Sequence, residues 1–231
     1  MVRSTSAIIF TPLHILNSHP MTTSPSHLKA RKKPVQARSL ATLAVLHTAT
    51  IQVLGREGLG RCTTTRIADR AGISVGSLYQ YYPNRDAILA AVLDHHLNEV
   101  IQVVQDVCRS HCGMLVKELA APLVSSFLAV KFSDLEASRA LYTIAGERGG
   151  PEKVMDVQAR MTDAITAMLR EAPDGRLDNP SLTAAVALNA MVGPVRAVLD
   201  GHLSFDMVPK LENELSRLIG NYFEASRALS C

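Results

Sequence analysis

The stretch TTTRIADRAGISVGSLYQYYPNR, residues 63–85, reads as two short helices joined by a tight turn. Thr63 is a good N-cap, because its hydroxyl accepts from a backbone N–H that has no partner in the first turn. Ile67, Ala68 and Ala71 follow at i, i+1, i+4, which is one face of a helix. Gly72 stands where that helix must stop, at the position that takes left-handed geometry. Ile73 plugs the turn and Ser74 caps the second helix. Leu78 and Tyr82 make an apolar i, i+4 pair, Pro83 ends the element, and Asn84 caps another helix. Two helices joined by a short turn containing glycine form the helix-turn-helix pattern. An ordinary helical hairpin has the same outline, but here the second helix is only about two turns long. It carries little apolar mass, and its outward residues are Ser74, Gly76, Ser77, Tyr79, Gln80 and Tyr81. Such a surface fits flat into a major groove, with Ser74, Gly76, Ser77 and Gln80 placed for base edges or adjacent backbone.

The stretch resembles the DNA-binding region of the TetR family of transcriptional repressors. The matching residues are Ile67-Ala68, Ala71-Gly72, Ile73-Ser74, Gly76, Leu78-Tyr79, Tyr82 and Arg85-Asp86, with Ala49, Leu54 and Gly58 matching upstream. The motif spans roughly residues 38–90, and beyond it the likeness is architectural only. The resemblance implies that Thr64, Tyr79, Tyr81 and Arg85 contact phosphates, and Thr63 joins them in the DNA-binding set. It also implies a homodimer, a small-molecule effector bound in the C-terminal body, and a double-stranded operator as partner. Effector binding then moves the helix starting at Arg85 and lowers operator affinity. Two departures stand out. Arg66 occupies the place where a capping box has Glu or Gln, and Tyr81 stands where the family often has histidine.

Charge is divided along the chain. From Lys29 to Arg85 there are ten Lys or Arg against Glu57 and Asp69, whereas from Asp86 onward there are thirteen basic and nineteen acidic residues. A basic N-terminal unit on an acidic body fits a DNA-binding head. At 231 residues the chain can bury a substantial core. Tryptophan is absent, and few segments alternate as strands do. The expected fold is therefore all-α: an N-terminal three-helix helix-turn-helix domain and a C-terminal helical domain for ligand binding and dimerisation. The cysteine spacing suggests no disulfide framework, which points to a reducing cytoplasm. Ala7–Leu16, broken by Pro12 and His14, is too short and interrupted for a membrane span, and no membrane partner is expected.

In order, residues 1–33 are rich in Ser, Thr, Pro and His and read as a disordered arm. Met21 is as good a start as Met1. The run Lys29, Arg31, Lys32, Lys33 suits phosphates or a minor groove, and equally a solvated tail. Residues 34–83 form the head, with its first helix over Pro34–Leu54 closed by Gly55 and Gly58 and its motif at about 64–82. The body is 84–231. It opens with a long helix from Arg85 to about Ser110, and further helices are expected near 114–131, 134–147, 151–171, 180–201 and 207–229. Pro122 is expected to break or kink the first of these and Pro194 to bend the fourth. The segment 182–199 is apolar all round, as a helix buried on both sides is. The second side suits either a second subunit or the protomer's own core, and the resemblance implies that helices 180–201 and 207–229 form the dimer seam, with Ala187 and Ala190 in it.

No catalytic motif is present: there is no phosphate loop, no H-E-x-x-H and no nucleophile elbow. No enzymatic activity, cofactor or metal is expected. Cys108, His111 and Cys112 are the one odd cluster, open to a metal or redox role or to plain packing. Candidate effector-lining residues are Met114, Phe127, Phe132, Tyr142, Met155, Met161, Met168 and Met191. Two rival readings stay open at this point. One is a ligand-independent DNA-binding activator or architectural protein. The other is an all-α carrier or enzyme with an incidental hairpin.

Overall fold

The computed structural model describes residues 37–227 apart from 148 and 175. The N-terminal arm with its basic run, Met21 and Cys231 lie outside the described residues. Among the described residues the chain is all helix: α1 (Ala37–Glu57), α2 (Thr64–Ala71), α3 (Val75–Tyr81), α4 (Arg85–Ser110), α5 (Ala120–Phe132), α6 (Leu135–Ala145), α7 (Gly150–Arg170), α8 (Pro180–Leu199) and α9 (Val208–Ala225). α1, α2 and α3 make the helix-turn-helix head, and α4–α9 make the helical body.

α1 runs three residues past the expected end. Gly58, with φ of 75°, is the stop. Gly55 lies inside the helix rather than closing it, and a methyl group there would fall 2.4 Å from Glu136 Oε1 of α6. α1 packs on α2 and also on α4 and α6, so it seats the head on the body. α4 buries Ile88, Leu89, Val92, Leu93, Leu97, Val100, Ile101 and Val104, a broad apolar side against α5 and α7.

Two expectations in the body need correction. The element foreseen over 114–131 opens as a 3₁₀ turn, Val116–Leu119, and α5 proper starts at Ala120. Pro122 therefore lies in the first turn of α5, where its missing N–H costs no helical hydrogen bond, and it helps to start the helix rather than break it. α8 runs on through Pro194. Within the protomer one side is covered and the other open: Ala184, Ala187, Leu188, Met191 and Val195 face the core, and Leu182 is 57% and Val186 43% exposed. Ala187, at 0%, belongs to the protomer core and not to an outer seam, while Ala190 is half-buried. α4 and α8 are each long and apolar enough to cross a membrane, and each spends its buried face on packing with neighbouring helices.

Candidate nucleic-acid interface

Each end of the motif is fixed by a local hydrogen bond. Thr63, in extended geometry, accepts from the Arg66 N–H at 3.3 Å and starts α2. Gly72 ends it at φ 69°, ψ 28°, which only glycine adopts without strain. Ser74 accepts from the Ser77 N–H at 3.0 Å, and Asn84 from the Ala87 N–H at 2.8 Å. Arg66 does not complete a capping box; it pairs with Glu57 at the end of α1. Arg70 donates to Gln52 Oε1 at 2.6 Å. The two arginines thus tie α2 across to α1, which accounts for the departure at Arg66.

α3 buries only Leu78. Ser74, Gly76, Tyr79 and Gln80 are exposed, and Ser77 and Tyr81 half-buried, so the outer face is polar and open. Ser74 Oγ lies 2.8 Å from Ser77 Oγ, and Gln80 is exposed beside them on this face. Thr64 Oγ1 and the Tyr79 hydroxyl hydrogen-bond each other at 3.1 Å, so these two expected phosphate contacts form one unit spanning α2 and α3. Thr63 is exposed and Thr64 half-buried. Arg85, half-buried at the start of α4, pairs with Asp86 at 3.0 Å. A methyl group on Gly76 would meet nothing nearer than Ser74 Oγ at 3.8 Å. Packing among the described residues therefore gives no reason for glycine at that position.

Tyr82, 2% exposed at the C-terminus of α3, ties that helix to α1, and α1 in turn meets the body. The Tyr82 hydroxyl shares a 2.8 Å hydrogen bond with His47 Nε2 of α1, and the His47 ring is 5.5 Å from that of His95 on α4. Burial, with the neighbouring His95, lowers His47 to about 4, so the ring is neutral at pH 7. His47 carries no signal in the sequence, because its partners Tyr82 and His95 lie far along the chain.

The eight effector candidates lie at different depths in the body. Phe127, Met161, Met168 and Met191 are buried in the body core, and Met114, Phe132 and Tyr142 are half-buried. Met155 stands on the surface, 68% exposed. A groove of about 400 Å³ between α4 and α7 is lined by Asp94, Leu97, Asn98, Glu152, Lys153, Asp156, Val157 and Arg160. The Lys153 ammonium is 2.6 Å from Asp94 Oδ1 beside it.

Two of the candidates, Phe127 and Tyr142, meet at a residue the sequence reading passed over. Lys131, 7% exposed, has its ammonium 6.0 Å from the Phe127 ring centroid, 5.6 Å from that of Tyr142, and 3.5 Å from His96 Nε2. The signal was there: Ala120, Leu123, Val124, Phe127, Leu128 and Lys131 form a single helical stripe, and Lys131 is its one charged member.

Cys108 is buried and its thiol is pushed up to about 12, chiefly by burial and also by Cys112. Cys112 is exposed and donates to Glu171 Oε2 at 2.6 Å, while His111 Nδ1 folds back to Val107 O at 2.9 Å. The three side chains therefore point to different partners, and among the described residues no group of three metal-ligating side chains converges.

Comparison with known proteins covers both parts of this architecture. The profile described as bacterial regulatory proteins, tetR family, matches residues 46–92, and the tetracyclin repressor-like C-terminal domain matches 116–222. The nucleoid occlusion factor SlmA of Haemophilus ducreyi is 37% identical over 68 residues, 29% of this chain and 32% of SlmA. The match thus spans only about a third of these curated relatives' length. Similar solved structures include a TetR family transcription regulator from Marinobacter aquaeolei, with TM-score 0.62 and 17% identity, covering 80% of this chain and 96% of that one. FadR of Bacillus subtilis in complex with stearoyl-CoA superposes with TM-score 0.64 and 16% identity over 78% of this chain and 98% of its own. The SmeT–triclosan complex does so with TM-score 0.60 and 22% identity over 82% and 93%. These likenesses carry the fold. With a capped helix-turn-helix in front and a matching helical body behind, the chain belongs to the TetR family of DNA-binding transcription regulators.

Proposed function

We propose that the chain is a homodimeric repressor that binds a palindromic operator and is released by a small apolar or amphipathic molecule. The observation that carries the DNA reading is the outer face of α3. It is capped at its start, anchored by Leu78 alone, and open through Ser74, Gly76 and Gln80. Glycine in a helix costs about 0.5–1 kcal/mol against alanine, and nothing among the described residues requires it at residue 76. Close approach of a DNA backbone supplies the reason. In this reading Gln80 and the Ser74–Ser77 pair face the groove, and Thr63, Thr64, Tyr79, Tyr81 and Arg85 hold phosphates.

The dimer reading rests on Leu182 and Val186 of α8 and Leu218 of α9, which leave an apolar face exposed where these two helices pack together. Large apolar side chains left exposed on two adjoining helices suit an interface. Effector release rests on the family and on FadR and SmeT, whose structures hold stearoyl-CoA and triclosan. The motion would pass through α4, which touches α1 of the head and packs on α5 and α7 of the body.

The test begins with DNA fragments selected by the purified full chain. Gln80→Ala should relax preference at one base pair by about 1–3 kcal/mol. Arg85→Ala should weaken all sequences alike and reduce the salt slope by about one charge. Unchanged binding in both variants removes α3 from the interface. A ligand-independent activator or architectural protein keeps both results and resists release by any apolar compound.

A further inference from the structure

Lys131 is a buried cation without an anion. Its ammonium has no carboxylate within salt-bridge distance among the described residues, and the residues outside them contain no Asp or Glu side chain. Its neighbours are the Phe127 and Tyr142 rings and the His96 imidazole. Burial lowers Lys131 to about 8, and burial together with Lys131 and His95 lowers His96 to about 4. At pH 7 the lysine is thus still charged and the histidine neutral. A buried charge partnered only by ring faces and one neutral acceptor is costly, and it persists where function needs it. Ser138 does not offset it, since its hydroxyl donates to the Lys131 carbonyl at 2.6 Å and leaves the ammonium alone. The surroundings lead outward. Tyr142 is half-buried, and its ring also carries the Arg196 guanidinium at 5.1 Å. Beyond lies the segment Gly201–Met207, exposed throughout, whose Phe205 meets Phe132 edge-on at 5.9 Å.

We propose that Lys131 receives the acidic head of an organic anion, a carboxylate or sulfonate on an apolar or aromatic body, in a site walled by Phe127, Tyr142 and His96. This rests on the ligand-responsive reading above and narrows its effector to an acid. The ligand supplies the missing counter-charge, and the rings accept its apolar part. The site is also wired to the head. His96 neighbours His95 on α4, His95 stacks near His47, and His47 holds Tyr82 at the end of the recognition helix.

Two probes test it on the full chain at pH 7: octanoate by calorimetry, with octanamide as its neutral counterpart, and 8-anilinonaphthalene-1-sulfonate by fluorescence. Wild type should bind both anions saturably and prefer octanoate to octanamide by at least about tenfold, the ratio that 1.4 kcal/mol of charge recognition gives. Lys131→Met keeps an unbranched apolar stem one atom shorter, removes the charge, and should abolish that preference. Without ligand it should also raise the melting temperature by about 2–4 °C below pH 8, the shift that 1 kcal/mol gives in a chain of this size. That gain should fade between pH 8 and 10.5, as the wild-type lysine loses its proton in the folded chain. No saturable binding of either anion to wild type overturns the proposal, as does a Lys131→Met protein that keeps the preference for octanoate. Operator binding separates the two levels. Anions that bind at Lys131 yet leave DNA held as before sink the ligand-release reading and leave the anion site standing. Release by a neutral compound alone does the reverse.

Discussion

At the scale of single residues, what could be read in advance were the local hydrogen bonds. Thr63, Ser74 and Asn84 each accept from an N–H three residues on, so residue type and spacing carry all the information. Gly72 was legible for the same reason, because left-handed geometry at a helix end has few candidates. Gly72→Ala should cost about 1–2 kcal/mol, read as a lower urea midpoint at unchanged slope; an unchanged midpoint means the turn has another geometry. Gly76→Ala should behave oppositely. It should raise stability by about 0.5–1 kcal/mol and still weaken binding to selected DNA. A variant that is more stable and binds as well removes Gly76 from the DNA face. His47 with Tyr82, and His96 with Lys131, escaped the reading because each pair is separated by 35 residues and meets only through packing. Lys131 was hidden by its charge, since a lysine reads as surface unless its place in the α5 stripe is counted.

At the scale of helices, type and order were legible because the apolar positions recur at helical spacing and the breaks carry Gly, Pro, Asp or Ser. Which face a helix turns inward was legible only where the stripe was narrow. α8 is apolar almost everywhere, so its sequence could not separate Ala187, in the protomer core, from Val186, 43% exposed one residue earlier. That difference makes a sharp test. Val186→Glu or Leu218→Glu should leave the helical content intact and shift the chain from dimer to monomer by sedimentation. Ala187→Glu should instead unfold or aggregate the protomer, because it places an unpaired charge in a core position. A Val186→Glu, Leu218→Glu double variant that stays dimeric places the interface on another face. The start of α5 was misplaced because Pro122 reads as a breaker unless the chain before it is known to be a 3₁₀ turn.

At the scale of the whole molecule, a basic head sits on an acidic body through α1 and α4, and the junction contains neutral histidines. His47 and His96 titrate near 4 in the folded chain against 6.5 when unfolded. The unfolded chain therefore binds more protons between those values. This stability is complete above about pH 6.5 and is lost as pH falls toward 4. A His47→Gln, His96→Gln double variant should flatten the fall in melting temperature across that window; an unchanged profile would assign acid sensitivity to the carboxylates. The central claim, that two copies read one operator together, is geometric. A two-fold dimer presents its recognition helices in opposite directions, so the operator should be an inverted repeat. Its half-site centres should lie about 34–36 Å apart, or at a multiple of that spacing. The most direct measurement is the affinity of the full chain for its selected operator before and after inserting about five base pairs at the centre, half of the 10–10.5 bp turn. Turning one half-site to the far side of the duplex should reduce affinity roughly 10³-fold or more, to the non-specific level. An operator with no dyad, or an affinity indifferent to the insertion, would mean that each subunit binds alone and would contradict the account.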